Sequence, residues 1–216
     1  MRKIIIMLFP VLLFISCKAD EIEISVNSEE IKNAISGEEI FVEFEATMSL
    51  WDDDDETKAH ISKIEEIIDT YIQLEEFEIS TGSFGLEISI EGEIPISRSP
   101  VGVTSPWMLL IEENDQEGAL ADYQYSMKFI ETENFTSFMN ELYDVNFMLS
   151  PDVRQPIKLK IKNSGASRMK VFSSAVEVDG EHFAFYEADI EKRTILNMAG
   201  GAYDHVPQIV FLSFLD

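Results

Sequence analysis

Polar and apolar positions alternate along most of this chain, and the alternation predicts strands before anything else is considered. "DEIEISV", Asp20 to Val26, interleaves acids with aliphatics and predicts a half-exposed strand. "EEIFVEFEATMSLW", Glu38 to Trp51, predicts a long strand with Ile40, Val42, Phe44 and Ala46 on one face and Glu43 and Glu45 on the other. Glu75 to Ile96 predicts two strands joined near Gly82–Gly85, with a bulge at Gly92 in the second. Trp107–Glu113 and Tyr123–Glu131 follow around an acidic loop. After Pro156 the pattern is nearly all β. "IKLKIKN" alternates, "RMKVFSSAVEV" follows, and Asp179-Gly180 predicts a tight hairpin into "EHFAFYEADI". "PQIVFLSFL", Pro207 to Leu215, is apolar enough to lie centrally in a sheet.

Three stretches switch to a helical period. Asn27 and Glu30 form a capping-box pair ahead of Ile31, Ala34 and Ile35, with Gly37 as the stop. Lys58 to Leu74 carries a stripe of Ile61, Ile64, Ile67, Ile68, Tyr71 and Ile72. Thr132 caps a third helix whose stripe is Phe135, Phe138, Met139, Leu142 and Tyr143. "SRSPVGVTSP" is a surface loop, and "NMAGGAYD", which lacks a phosphate-loop pattern, is another. The expected fold class is therefore α+β, mainly antiparallel β-sheet with about three helices.

Residues 1–16, "MRKIIIMLFPVLLFIS", break the pattern. Two basic residues precede an apolar run from Ile4 to Ile15, the layout of a secretory signal. A membrane-spanning helix needs about 20 apolar residues, and this run is shorter. Phe14-Ile15-Ser16-Cys17 resembles the lipobox of bacterial lipoproteins, with Phe14 where Leu is usual. The resemblance implies cleavage before Cys17, a diacylglycerol on its thiol and an acylated new amine. It divides the chain into a signal peptide, 1–16, and an extracytoplasmic domain, 17–216. Cys17 is also the sole cysteine, and an unmodified lone thiol is a liability in an oxidising compartment. Acyl chains such as palmitate would hold the domain on a membrane at about 0.8 kcal/mol per buried CH₂. Lys18 after the cysteine, read by the enterobacterial rule, implies the periplasmic face of the outer membrane.

Charge narrows the partners. Without residues 1–16 the chain holds 14 Lys/Arg against 41 Asp/Glu, a formal charge of −27. Such a field repels nucleic acid and suits a basic protein partner or cations. Fifteen Phe, six Tyr and two Trp supply a core, so the charge does not imply disorder.

Candidate chemistry is sparse. Asp52, Asp53, Asp54 and Asp55 could supply calcium ligands, but the stretch lacks the glycine and alternate spacing of an EF-hand, so a solvated loop is favoured. Lys158, Lys160 and Lys162 line one face of a predicted strand and form a candidate partner-binding stripe. Pairing with exposed glutamates such as Glu87 or Glu177 is the favoured reading. His60, His182 and His205 are scattered, and Ser83 lies outside a nucleophile-elbow pattern. Nothing here points to an enzyme or a cofactor. The short signal, Cys17-Lys18, the acidic first strand, the short helix and the β-rich remainder resemble small lipoproteins encoded by bacteriophages and prophages. A lipid-anchored envelope protein acting through protein–protein contacts is the expected function. A ligand- or cation-binding module is the alternative.

Overall fold

A computed structural model describes residues 19–50, 55–82, 85–145, 157–165, 167–198 and 209–215. They hold eleven strands: β1 (Ala19–Asn27), β2 (Ile40–Leu50), β3 (Gln73–Gly82), β4 (Gly85–Ser97), β5 (Trp107–Glu113), β6 (Tyr125–Glu131), β7 (Ile157–Lys162), β8 (Arg168–Val178), β9 (Glu181–Ile190), β10 (Arg193–Met198) and β11 (Ile209–Leu215). Nine of them close into a barrel in the order β10-β7-β1-β2-β4-β5-β6-β11-β8. The ring shuts where Asn197 of β10 faces Glu177 of β8. Among the described residues, β3 pairs only with β4 and β9 only with β8, so both lie off the ring.

This corrects the expected α+β class: the molecule is a closed β-barrel with three short helices inserted between its strands. Local period identified most elements, but closure is made by contacts distant in sequence. Two pairings of the ring are parallel, β1 with β7 and β4 with β5, in a sheet expected to be mainly antiparallel.

The inner face explains why the ring closes. Register aligns Ile22 with Ala46, Ile24 with Phe44, Val42 with Ile94 and Ile96 with Leu109. The set continues through Ile111, Met127, Val210, Leu212, Val171, Leu196, Leu159 and Ile161, all buried in one cluster. Each such side chain contributes about 1.5–3 kcal/mol when taken fully out of water. One apolar face per strand is enough to close a sheet on itself and leave the other face wet.

The helices plug this core. In α1 (Ser28–Ser36) the Asn27 side chain accepts the N–H groups of Glu29 and Glu30, each at 3.0 Å, and Glu30 accepts the Asn27 N–H at 2.7 Å. Gly37, at φ 91°, ends it as expected. α2 (Asp55–Tyr71) starts three residues before the expected Lys58 and buries Ile61, Ile64, Ile67 and Ile68. α3 (Phe135–Val145) follows a turn in which Thr132 accepts the Asn134 N–H on its hydroxyl (3.2 Å) and the Phe135 N–H on its carbonyl (3.2 Å). The two helices meet where Tyr71 donates to Glu141 at 2.6 Å. Trp107 joins them to the barrel, with ring centroids 5.4 Å from Phe138, 5.6 Å from Phe44 and 5.9 Å from Phe135.

Two strand readings change. The bulge lies in β3, between Leu74 and Glu76, and Gly92 is the residue opposite it. A Cβ on Gly92 would sit 2.4 Å from the Gln73 carbonyl oxygen, so close backbone approach selects glycine there. β10 has no counterpart among the expected strands. Its inward positions are Thr194, Leu196 and Met198, and the apolar Ile195 between them hides the alternation.

Candidate functional site

The expected lipid site, Cys17, lies outside the described residues, as do Asp52, Asp53 and Asp54. Asp55 is the exposed first residue of α2. Among the described residues, no group of three or more His, Cys, Asp or Glu side chains is arranged to hold a metal ion. Of the histidines, His60 is half-buried on α2, His182 is exposed on β9 and His205 is outside the described residues, as is Ser83.

Lys158, Lys160 and Lys162 do share the outer face of β7. Their acceptors differ from those expected. Parallel pairing with β1 sets Glu23 opposite Lys158, so Glu23 takes Lys158 at 2.5 Å and Lys160 as well. Lys162 reaches Glu43 of β2 at 3.6 Å. Burial alone would raise the Glu23 carboxyl, but the hydrogen bonds from Lys158 and Lys160 hold it below the usual range. Glu87 plays no part in holding these lysines among the described residues, and Glu177 instead takes Asn197 at 3.2 Å and His182 at 3.6 Å. The basic stripe is thus tied to its neighbours and is not a free anion site.

The acids beyond it are another matter. Register places Glu23 opposite Glu45, Glu45 opposite Glu91 and Glu91 opposite Glu76. Four carboxylates therefore run straight across β1, β2, β4 and β3. The adjacent row sets Glu43 opposite Glu93. Like charges directly opposite one another destabilise a sheet. Cations compensate Glu23 and, at longer range, Glu43. Among the described residues, Glu45, Glu91, Glu93, Glu76 and Glu78 have no ion pair. The charges of Glu78 and then Glu91 push the Glu76 carboxyl up. Within this row only Glu23 has cations to offset the repulsion.

The outer face around β8 contrasts with it. Lys170 reaches Glu187 at 2.8 Å and Arg168 reaches Asp189 at 3.7 Å. Phe172 lies 5.8 Å from Tyr123, 6.1 Å from Phe185 and 6.2 Å from Phe211, ring to ring. Burial, then a 2.9 Å hydrogen bond to Glu187, pushes the Tyr123 phenol up to about 12. Its charges are matched, so this face carries less stored repulsion.

Along the chain, the acids of the glutamate row read as the polar half of an alternation. The signal was present in "FVEFE", "EISIEGEI" and "EEFEIS", three strands with glutamate at alternate positions. What aligns them is the register, which no single strand encodes. Comparison with family models, with curated proteins and with solved structures finds no match for this chain.

Proposed function

We propose that this chain is a lipid-anchored protein of the bacterial envelope that acts by contact with another protein, through the acidic face of β1, β2, β4 and β3. The observation that carries the contact reading is the uncompensated row Glu45, Glu91 and Glu76. A sheet face that keeps like charges opposed at a cost in stability suits electrostatic recognition of a basic surface. The interior of the barrel, filled by residues such as Phe44, Ile24, Ile88 and Leu212, supports action at the surface.

The anchor reading rests on Phe14-Ile15-Ser16-Cys17. A single residue, Lys18, separates Cys17 from Ala19, where β1 begins. Acylation at Cys17 would hold the barrel directly against the membrane, with the acidic face beginning on the strand nearest the lipid. Among the described residues no helix is long and apolar enough to cross a membrane.

Labelling cells with palmitate tests the anchor. Label is expected in the wild type and absent from Cys17→Ala, and equal incorporation by both would remove the lipid reading.

A further inference from the structure

We infer that the open edge of β3 receives an extended basic segment of the partner as an added strand, one that alternates lysine or arginine with apolar residues. This rests on the contact reading above and names the chemistry of the contact. β3 bonds to β4 along one side, and among the described residues no backbone group on its other side is paired. Such an edge offers a row of N–H and C=O groups to any strand that can lie beside it.

The two faces of β3 specify what can. Glu76 and Glu78 project onto the acidic face and are exposed. Phe77 and Ile79 project onto the other face, and Ile79 keeps 46% of its surface in water. An added strand sets its own side chains beside these, face for face. Cations at alternate positions would meet Glu76 and Glu78, with the end of the glutamate row behind them. The residues between would cover Ile79 and the rim of Phe77. The bulge at Glu75 interrupts the ladder, so the unbroken run of pairing is Glu76–Gly82.

Charge selects the occupant. A second copy of β3 would add Glu76 and Glu78 to an edge that already repels them, in a domain of formal charge −27. Nucleic acid is repelled in the same way. The open edge of β9 is less suited to a cation-rich strand, because Lys170 and Arg168 already answer Glu187 and Asp189 beside it.

The test titrates the full-length chain, purified in detergent, with a peptide of about ten residues alternating Lys and Val, a length that covers the pairing run. Two controls accompany it: a fully N-methylated analogue, which keeps the charges but has no N–H to donate, and a Glu–Val peptide. Affinity is read by fluorescence anisotropy, and backbone exchange is followed at Glu76–Thr81. The Lys–Val peptide is expected to bind and slow exchange there, with the N-methylated analogue at least about tenfold weaker and the Glu–Val peptide inert. Glu76→Lys/Glu78→Lys should lose about tenfold or more in affinity with its circular dichroism unchanged, while Glu181→Lys on β9 keeps full affinity. Equal binding by the N-methylated analogue overturns strand addition, yet leaves contact through the acidic face standing. No binding by the Lys–Val peptide, or protection on β9 in place of β3, also overturns it. Palmitate labelling of Cys17 reads the anchor independently of every outcome.

Discussion

Glu91 stands between Glu45 and Glu76, with a carboxylate on each side and no cation paired to it among the described residues. Glu91→Gln removes two repulsive neighbours and keeps the side-chain shape. It should raise stability by about 0.5 kcal/mol, seen as a higher urea midpoint with unchanged slope. Gly92 beside it behaves oppositely. Gly92→Ala drives a methyl into the Gln73 carbonyl, whose backbone cannot swing away, and should cost about 1–3 kcal/mol in the same assay. What was legible at this scale was local chemistry. Asn27, Glu30 and Gly37 mark the start and stop of α1 within eleven residues of chain. Asp179 and Gly180, at φ 52° and 82°, make the tight turn that their pair predicts. The acceptors of Lys158, Lys160 and Lys162 were not legible, because they sit on strands whose register is fixed elsewhere.

Strands carry the pH response. Glu23 has a depressed carboxyl in the folded state, so its contribution is present above the unfolded value of about 4.3 and is lost as pH falls through the folded value. Glu76 and Glu30 are raised, the first by Glu78 and Glu91, the second by burial. For these the folded state binds protons first, so acidification from neutrality towards their range relieves a penalty. Melting temperature should therefore rise as pH drops from 7 into the raised range of Glu76 and Glu30, then fall at lower pH as Glu23 releases its lysines. A melting temperature that declines steadily from pH 7 contradicts this assignment. β11 is the other strand with a sharp expectation. It lies between β6 and β8 with Val210 and Leu212 buried, as its apolar run predicted. Deleting residues 211–215 should abolish cooperative thermal unfolding, followed by circular dichroism. Strand identity was thus well marked wherever alternation was clean, and it failed at β10, where Ile195 fills an outward position.

Closure belongs to the whole molecule. β1 and β7 lie far apart in sequence, yet they pair in parallel and set Glu23 against Lys158. The pairings of β1 with β2, β2 with β4 and β4 with β3 bring the glutamates of these strands into one row. Apart from Glu76 and Glu91, which meet in one hairpin, the row joins residues that no window of twenty contains, which is why the acids were visible and the acidic face was not. A molecule that keeps such a face should respond to screening. Raising NaCl from low to physiological concentration is expected to increase the melting temperature of the wild type, and to do so less for Glu45→Gln/Glu91→Gln. The deciding measurement is in-cell cross-linking of the native protein followed by mass spectrometry, with Cys17→Ala and Glu45→Lys/Glu91→Lys run alongside. One dominant envelope partner with a basic surface, lost in both variants, is the predicted result. The same proteins recovered at the same yield from all three strains would contradict an anchored domain that acts through its acidic face.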